Sequence, residues 1–289
     1  MPQSCMTADL HIHTKASDGQ WDPSAIGREA AERGLRVIAV TDHDTVAGLE
    51  QAITGAPASM TIIPGIELSS DYQGAEVHIL GYWIDYHHPP LLRLLNQLRE
   101  ERSTRTETMV QRLNALGLAI SLGDVRALAG DAASGRLHIA TALENAGYCS
   151  SKGEAFERWL GLGKPGYVPR ERLGPVEAIR SIREAGGTAC LAHPVLTRND
   201  SLIPELVSAG LSGIEVIHSA HHAKDRRHYW RLAAQWNLAP VGGSDCHGPG
   251  GKDHVLLGHY TIPDTWVKGL QIRAQKSAMN SEAFRKRTL

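Results

Sequence analysis

Histidines and carboxylates recur in short clusters from one end of the chain to the other. Asp9-Leu10-His11-Ile12-His13 comes first, with Ser17-Asp18-Gly19 behind it. Thr41-Asp42-His43-Asp44, Pro64-Gly65-Ile66-Glu67, Val77-His78, Ala192-His193-Pro194 and Ser244-Asp245-Cys246-His247 follow. Each stands at, or just after, the end of an expected strand. Imidazole nitrogens mixed with carboxylate oxygens are the donors that a multi-metal hydrolase uses to hold divalent cations. One histidine in a strand is usually a satisfied core residue, but seven separated sites are hard to assign to packing. Asp18, Glu67 and Asp245 converging on one pocket would repel one another without a cation, because burying each unpaired charge costs several kcal/mol.

The donor types narrow the ion. They suit Mn2+, Fe2+ or Zn2+ better than Ca2+ or Mg2+, and two to three ions are expected, with Mn2+ favoured. No thiolate is needed, and Cys246 reads as a small buried residue facing away from its neighbours Asp245 and His247. Dications a few Å apart suit phosphoester hydrolysis, since they turn water into hydroxide near neutral pH and neutralise phosphoryl oxygens. There is no G-x-S-x-G elbow and no P-loop, which removes a covalent serine route and an NTPase.

These residues need elements to position them. A strand over Ala8–His13 puts Asp9, His11 and His13 on one face by its period of two. A helix follows, with Asp22 as N-cap, Pro23 in its first turn and Gly34 at its stop. Val37–Val40, Met60–Glu67 and Glu76–Trp83 read as further strands, the last two forming a hairpin across Ser70–Gly74. Residues 89–170 read as successive helices, an inserted subdomain. Alternation then resumes, with helices at 175–185, 201–209 and 223–236 and strands at 188–192, 213–217 and 239–243. Val255–Ile262 is expected as a last strand. Many strand ends feeding one face is how a β/α barrel builds a site. The expected division is a barrel from 1–88 and 171–265, the insertion at 89–170, and a C-terminal helix or tail at 266–289 whose last dozen residues are solvated or frayed.

Bulk composition limits the alternatives. The 289 residues are 42% apolar and 21% charged, with a net charge of -1 and fifteen histidines. Near-neutral charge offers no broad case for nucleic acid or membrane binding. Cys5, Cys149, Cys190 and Cys246 form no CxxC pair, which argues against a zinc finger or a disulfide framework and for a reduced cytoplasm. No secretory signal or membrane span is read, and no obligate protein partner is inferred.

The ordered motifs DLHIHT, SDG, TDHDT, PGIELS, VHILGY, RLHIA, AHP, GIEVIH and SDCHG, spanning Ala8 to Gly248, resemble the polymerase and histidinol phosphatase (PHP) superfamily. Within it the chain is similar to 3′,5′-nucleoside bisphosphate phosphatases and RNase AM-type 5′-to-3′ exoribonucleases. The resemblance implies an α/β fold, a distorted seven-stranded β/α barrel with a trinuclear metal site and a helical insertion over that site. It also implies a ligand set. A first ion would take His11, His13, Glu67 and Asp245. Glu67 would bridge to a second, held also by His78 and His193. A third would take Asp18, His43 and His247. Asp9 and Asp42 would orient ligands or serve the structure, and Asp44 would be a cap or loop residue. Lys15 departs from the small or polar residue expected there and is read as pointing to solvent.

Phosphate recognition is expected from Arg136 and His138, at a helix start after Ser134-Gly135, and from Lys164 in a constrained Gly-Lys-Pro-Gly loop. The family motif strengthens Arg136 and Lys164. His218, after Gly213-Ile214-Glu215-Val216-Ile217, is a candidate general acid for the leaving oxygen. Glu215 has no evident role, and His221, His222 and His228 read as surface residues. The leading expectation is removal of a terminal phosphate from a small nucleotide, such as a 3′,5′-bisphosphonucleotide. The alternatives are a 5′-to-3′ exoribonuclease on short 5′-phosphorylated RNA, a histidinol phosphate phosphatase, an amidohydrolase, and, in another class, a non-catalytic metal-binding module.

Overall fold

Leu10 and Ile12 alternate with Asp9 and His11 along the first strand, and all four are buried, so this strand has structure on both faces. The computed structural model describes residues 6–130, 134–169, 173–248 and 256–287. Its opening elements are β1 (Met6–Ile12), α1 (Pro23–Glu32), β2 (Val37–Val40), α2 (Leu49–Gly55), β3 (Thr61–Tyr72) and β4 (Ala75–Tyr82). The helical stretch is α3 (Pro89–Ala115), α4 (Leu122–Ala129), α5 (Arg136–Asn145) and α6 (Lys152–Ala155), the last continuing into a π-helical turn at Phe156–Leu160. Then come α7 (Pro175–Glu184), β5 (Thr188–Leu191), α8 (Pro194–Thr197), α9 (Ile203–Ala209), β6 (Gly213–Ile217), α10 (Ala223–Gln235), β7 (Ala239–Gly242), β8 (Ile262–Pro263) and α11 (Asp264–Arg287).

The strands form one sheet in the order β7-β6-β5-β4-β3-β2-β1-β8. Closure comes from the loop after β7. Asp245 N–H donates to His11 O at 2.9 Å and His13 N–H to Cys246 O at 3.0 Å, making a nearly closed barrel. Among the described residues the sheet has seven barrel strands, as expected, and an eighth of two residues, β8, that pairs antiparallel with β1. Val255 lies outside the described residues, and of the expected last strand only Ile262 is extended, in β8, which continues to Pro263. The C-terminal stretch is helical as far as Arg287, and Val267 and Leu270 of α11 are packed in the barrel core.

The chain divides into two compact units, Met1–Leu92 with Leu173–Leu289, and Arg93–Arg172. The first is the barrel, cored by residues such as Leu10, Ile63, Leu80, Tyr82 and Val241. The second is helical, cored by Met109, Leu113, Val125, Ile139, Leu143 and Leu160.

Strand direction decides what reaches the rim. β1, β2 and β3 run parallel, as do β5, β6 and β7, but β4 is antiparallel to both neighbours, β3 and β5. Glu67 and His78 therefore lie within strands rather than at their ends. β3 runs five residues past Glu67, which bridges to His43 just beyond β2. β4 enters from the opposite side, so its early residue His78, paired with Ser69, stands near this level.

Candidate metal centre

Glu67 is the hub of the rim. It has no solvent exposure, and five imidazoles surround its two oxygens. Oε2 lies 3.2 Å from His11 Nε2, from His13 Nε2 and from His43 Nδ1. Oε1 lies 2.9 Å from both His78 Nδ1 and His193 Nε2. Asp245 adds a second carboxylate, its Oδ1 3.0 Å from His13 Nε2 and 3.4 Å from His11 Nε2. Asp18 adds a third, its Oδ1 3.4 Å from His247 Nε2 and 3.8 Å from His13 Nδ1.

All nine ligands expected from the sequence thus meet in one place on the barrel. Donor atoms within 4.8 Å of one another form the sets His11–His13–Glu67–Asp245, His43–Glu67–His78 and His13–Asp18–His43–His247, with His11–Glu215–His218 as a fourth. His13 and His43 each belong to two of these sets, and His193 joins the middle one through Glu67 Oε1. The donor chemistry fits divalent cations on a further observation. His13 Nδ1 and Nε2, Asp18 Oδ1, His43 Nδ1, His78 Nε2 and His193 Nδ1 are buried without a hydrogen-bond partner. Buried polar atoms are rarely left so, and cation coordination would satisfy donors of this type.

Electrostatics say the same. Burial alone would raise the Glu67 carboxyl, but the imidazoles around it hold it well below the usual range. Burial pulls His13 down, and Asp245 and Glu67 outweigh it, lifting the imidazole to about 10. His78 reaches about 10 through Glu67 in the same way, whereas burial wins at His43 and lowers it to about 4. Without cations the cluster holds itself together by keeping protons that a metal would displace.

The surrounding residues fix the ligands. Asp9, read as an orienter, accepts from His11 N–H at 3.3 Å and Ser244 N–H at 2.9 Å, tying β1 to the β7 loop; burial raises its carboxyl to about 6. Asp42 accepts from Thr14 N–H and Oγ1–H, both at 2.7 Å, and from Ser17 Oγ–H at 2.5 Å, which folds the Thr14–Asp18 loop. Asp44 accepts from Ser69 N–H at 2.8 Å. His193 and Asp245 sit at φ of 22° and 56°, uncommon backbone for residues with side chains and typical of functional sites. Lys15 is exposed, and buried Cys246 accepts from Trp21 Nε1–H at 3.4 Å.

Glu215 is the residue the sequence reading missed. It is fully buried; Oε1 lies 3.1 Å from His11 Nδ1, and Oε2 accepts from His193 N–H at 2.6 Å. The signal was present, since a carboxylate inside the apolar run Gly213–Ile217 of a parallel strand must have a partner. His218 is also buried. Its Nδ1 accepts from Ala220 N–H at 3.0 Å, leaving Nε2 to carry the proton, 3.3 Å from Asp245 Oδ2.

His221 is a correction. It was expected on the surface but is buried, because the loop before α10 folds back so that His221 Nδ1 donates to Val216 O at 3.0 Å. His222 is exposed, and His228 is partly exposed with Nε2 2.6 Å from Asp200 Oδ2. Arg136, His138 and Lys164 all lie in the helical unit. Arg136 opens α5 with its guanidinium 5.7 Å from the Phe156 ring centre, His138 Nδ1 accepts from Gly135 N–H at 3.1 Å, and Lys164 is exposed on a turn.

A barrel rim of this composition defines a metal-dependent phosphoester hydrolase. The family model described as PHP domain matches residues 9–101. The chain is 34% identical to the 5′-3′ exoribonuclease Rnm of Escherichia coli K12, over 83% of this chain and 85% of that one. It is also 34% identical to a 3′,5′-nucleoside bisphosphate phosphatase of Chromobacterium violaceum, over 87% and 90%. A Bifidobacterium adolescentis structure described as a candidate metal-dependent phosphoesterase superposes with a TM-score of 0.84 at 29% identity, covering 93% of this chain and 96% of that one. The protein belongs to the PHP family. No helix among the described residues is long and apolar enough to cross a membrane.

Proposed function

We propose that this enzyme cleaves the P–O3′ ester of nucleotides that carry a 5′-phosphate, with a 3′,5′-bisphosphonucleotide as the leading substrate and a nucleoside 5′-monophosphate plus phosphate as products. The observation that carries the reading is Glu67, one buried carboxylate shared by five imidazoles and flanked by Asp245 and Asp18. His11, His13, Glu67 and Asp245 would hold one ion, Glu67, His78 and His193 a second, and Asp18, His43 and His247 a third. Mn2+ is the ion these donors favour, with Fe2+ or Zn2+ as substitutes. When bound, the ions supply an activated hydroxide and neutralise charge on the phosphoryl oxygens.

The chain's own residues do the rest. Asp9, Asp42 and Glu215 hold the ligands in place. His218 presents an Nε2 proton and is assigned as the acid for the departing O3′. Arg136, His138 and Lys164 are assigned to substrate phosphate, on the strength of their charge and the α5 start. The described cysteines, Cys149, Cys190 and Cys246, are free thiols, which suits a cytoplasmic enzyme.

The second reading, exonucleolytic release of 5′-nucleotides from short RNA, breaks the same P–O3′ bond, and the name of the Escherichia coli relative supports it. Metal-stripped protein is reloaded with Mn2+ and given 3′,5′-bisphosphoadenosine, 5′-phosphorylated oligonucleotides and histidinol phosphate. Phosphate release from the first supports the leading reading, and nucleotide release from the second supports the alternative. No turnover of any at full metal occupancy leaves a metal-binding module.

A further inference from the structure

The loops that carry His193 and His218 also wall a cavity of roughly 630 Å3 on the barrel unit. That lies inside the roughly 300–1,000 Å3 span of small-molecule sites. The loop after β5 contributes Leu196, Arg198 and Asp200, and the loop and helix after β6 contribute Lys224, Asp225 and Tyr229. None of these residues belongs to the metal-ligating sets.

The charges in this cavity are unevenly committed. Asp200 Oδ2 lies 2.6 Å from His228 Nε2, and Asp225 Oδ2 accepts from His222 N–H at 2.9 Å, so both acids are engaged within the wall. Neither Arg198 nor Lys224 has an ion pair or side-chain hydrogen bond among the described residues. Arg198 holds a left-handed backbone, φ 51°, where α8 ends. A bulky residue is uncommon in that conformation. The apolar part of the wall is Val195, Ala220, Leu196, which is 60% exposed, and the edge of the largely buried Tyr229. Two uncommitted cations beside an apolar wall match a nucleotide, whose phosphate takes the charge and whose base takes the apolar surface.

We propose that this cavity binds the nucleotide that follows the scissile phosphoryl group in a 5′-phosphorylated oligonucleotide. Arg198 and Lys224 take its next phosphodiester, and Leu196 and Tyr229 face its base. The inference rests on the P–O3′ reading above and adds what separates an oligonucleotide from a bisphosphonucleotide as substrate.

The test compares wild type with the double variant Arg198→Ala/Lys224→Ala. Both side chains are exposed, so folding is not at stake. Steady-state kinetics are taken on 3′,5′-bisphosphoadenosine and on a 5′-phosphorylated trinucleotide. Affinity for the phosphorothioate-linked trinucleotide is measured by calorimetry. The expected result is a fall of at least about tenfold in the ratio of kcat/KM for trinucleotide over bisphosphonucleotide, mainly through KM, with a matching loss of analogue affinity. The charge-keeping variant Arg198→Lys/Lys224→Arg should recover most of it. An unchanged ratio with unchanged analogue affinity overturns the assignment. If wild type turns over neither substrate while the double variant still loses analogue affinity, the cavity assignment stands and the P–O3′ reading falls.

Discussion

Glu215 Oε1 lies 3.1 Å from Nδ1 of His11, on a ring whose Nε2 lies 3.2 Å from Glu67 Oε2. Glu215 keeps a proton on Nδ1, so Nε2 is the atom left to meet a cation once its own proton is displaced, and the second Glu215 oxygen fixes the backbone of His193 at 2.6 Å. One buried carboxylate therefore positions His11 on β1 and His193 just after β5. Such partners typically contribute about 10–100-fold to metal affinity or activity. Glu215→Gln should lower ion affinity by that order, because its amide must turn an N–H toward one of two donors. Competition with a chelator reads the loss. Unaltered affinity would reduce Glu215 to a packing residue.

Glu67→Gln keeps the shape of the hub and removes its charge. Five imidazoles then lose the carboxylate they share. The variant should retain its circular dichroism and bind at least one ion fewer per chain by elemental analysis. Full metal occupancy would show that Glu67 does not bridge.

Ion loading should release protons. In the ion-free protein Asp245 and Glu67 outweigh burial and keep His13 protonated to about 10, and Glu67 does the same for His78. At pH 8 both must give up a proton to coordinate, so at least about two protons should leave per chain. Calorimetric titration in buffers of different ionisation heat counts them.

The same groups shape ion-free stability. His13 and His78 have folded values above the ordinary 6.5, so their contribution is complete below about 6.5 and is lost as pH climbs toward 10. His43, lowered by burial to about 4, acts in the opposite sense, its contribution complete above 6.5 and lost as pH falls toward 4. Chelated protein should therefore melt at its highest temperature near neutrality and decline on both sides. A melting curve that rises steadily to pH 10 contradicts this.

Gly243 packs under the first ligand strand. A Cβ there would collide with His11 N and lie 2.7 Å from Asp9 Oδ1. Gly243→Ala must push β1 away, at a cost of about 1–3 kcal/mol. Thermal melts should show that loss in chelated protein, and ion affinity should fall with it as His11 moves.

Much of this centre was legible in the chain itself. Histidines two residues apart in extended chain, as at His11 and His13, face the same way, and carboxylates among apolar runs cannot be buried without partners. Hydrophobic periodicity likewise marked most barrel strands and the helical stretch between them. Long-range closure was not legible. Which residues of β3 and β4 stand at the rim depends on β4 running against its neighbours, so Glu67 and His78 reach the cluster from mid-strand. The roles of Glu215, linking His11 to His193, and of His221, folded inward onto Val216, arise from contacts between segments that no local pattern relates. Residue type and spacing are local properties and announce which chemistry is available. Register, strand direction and loop return are set by packing of the whole barrel, and they decide which of those residues touch.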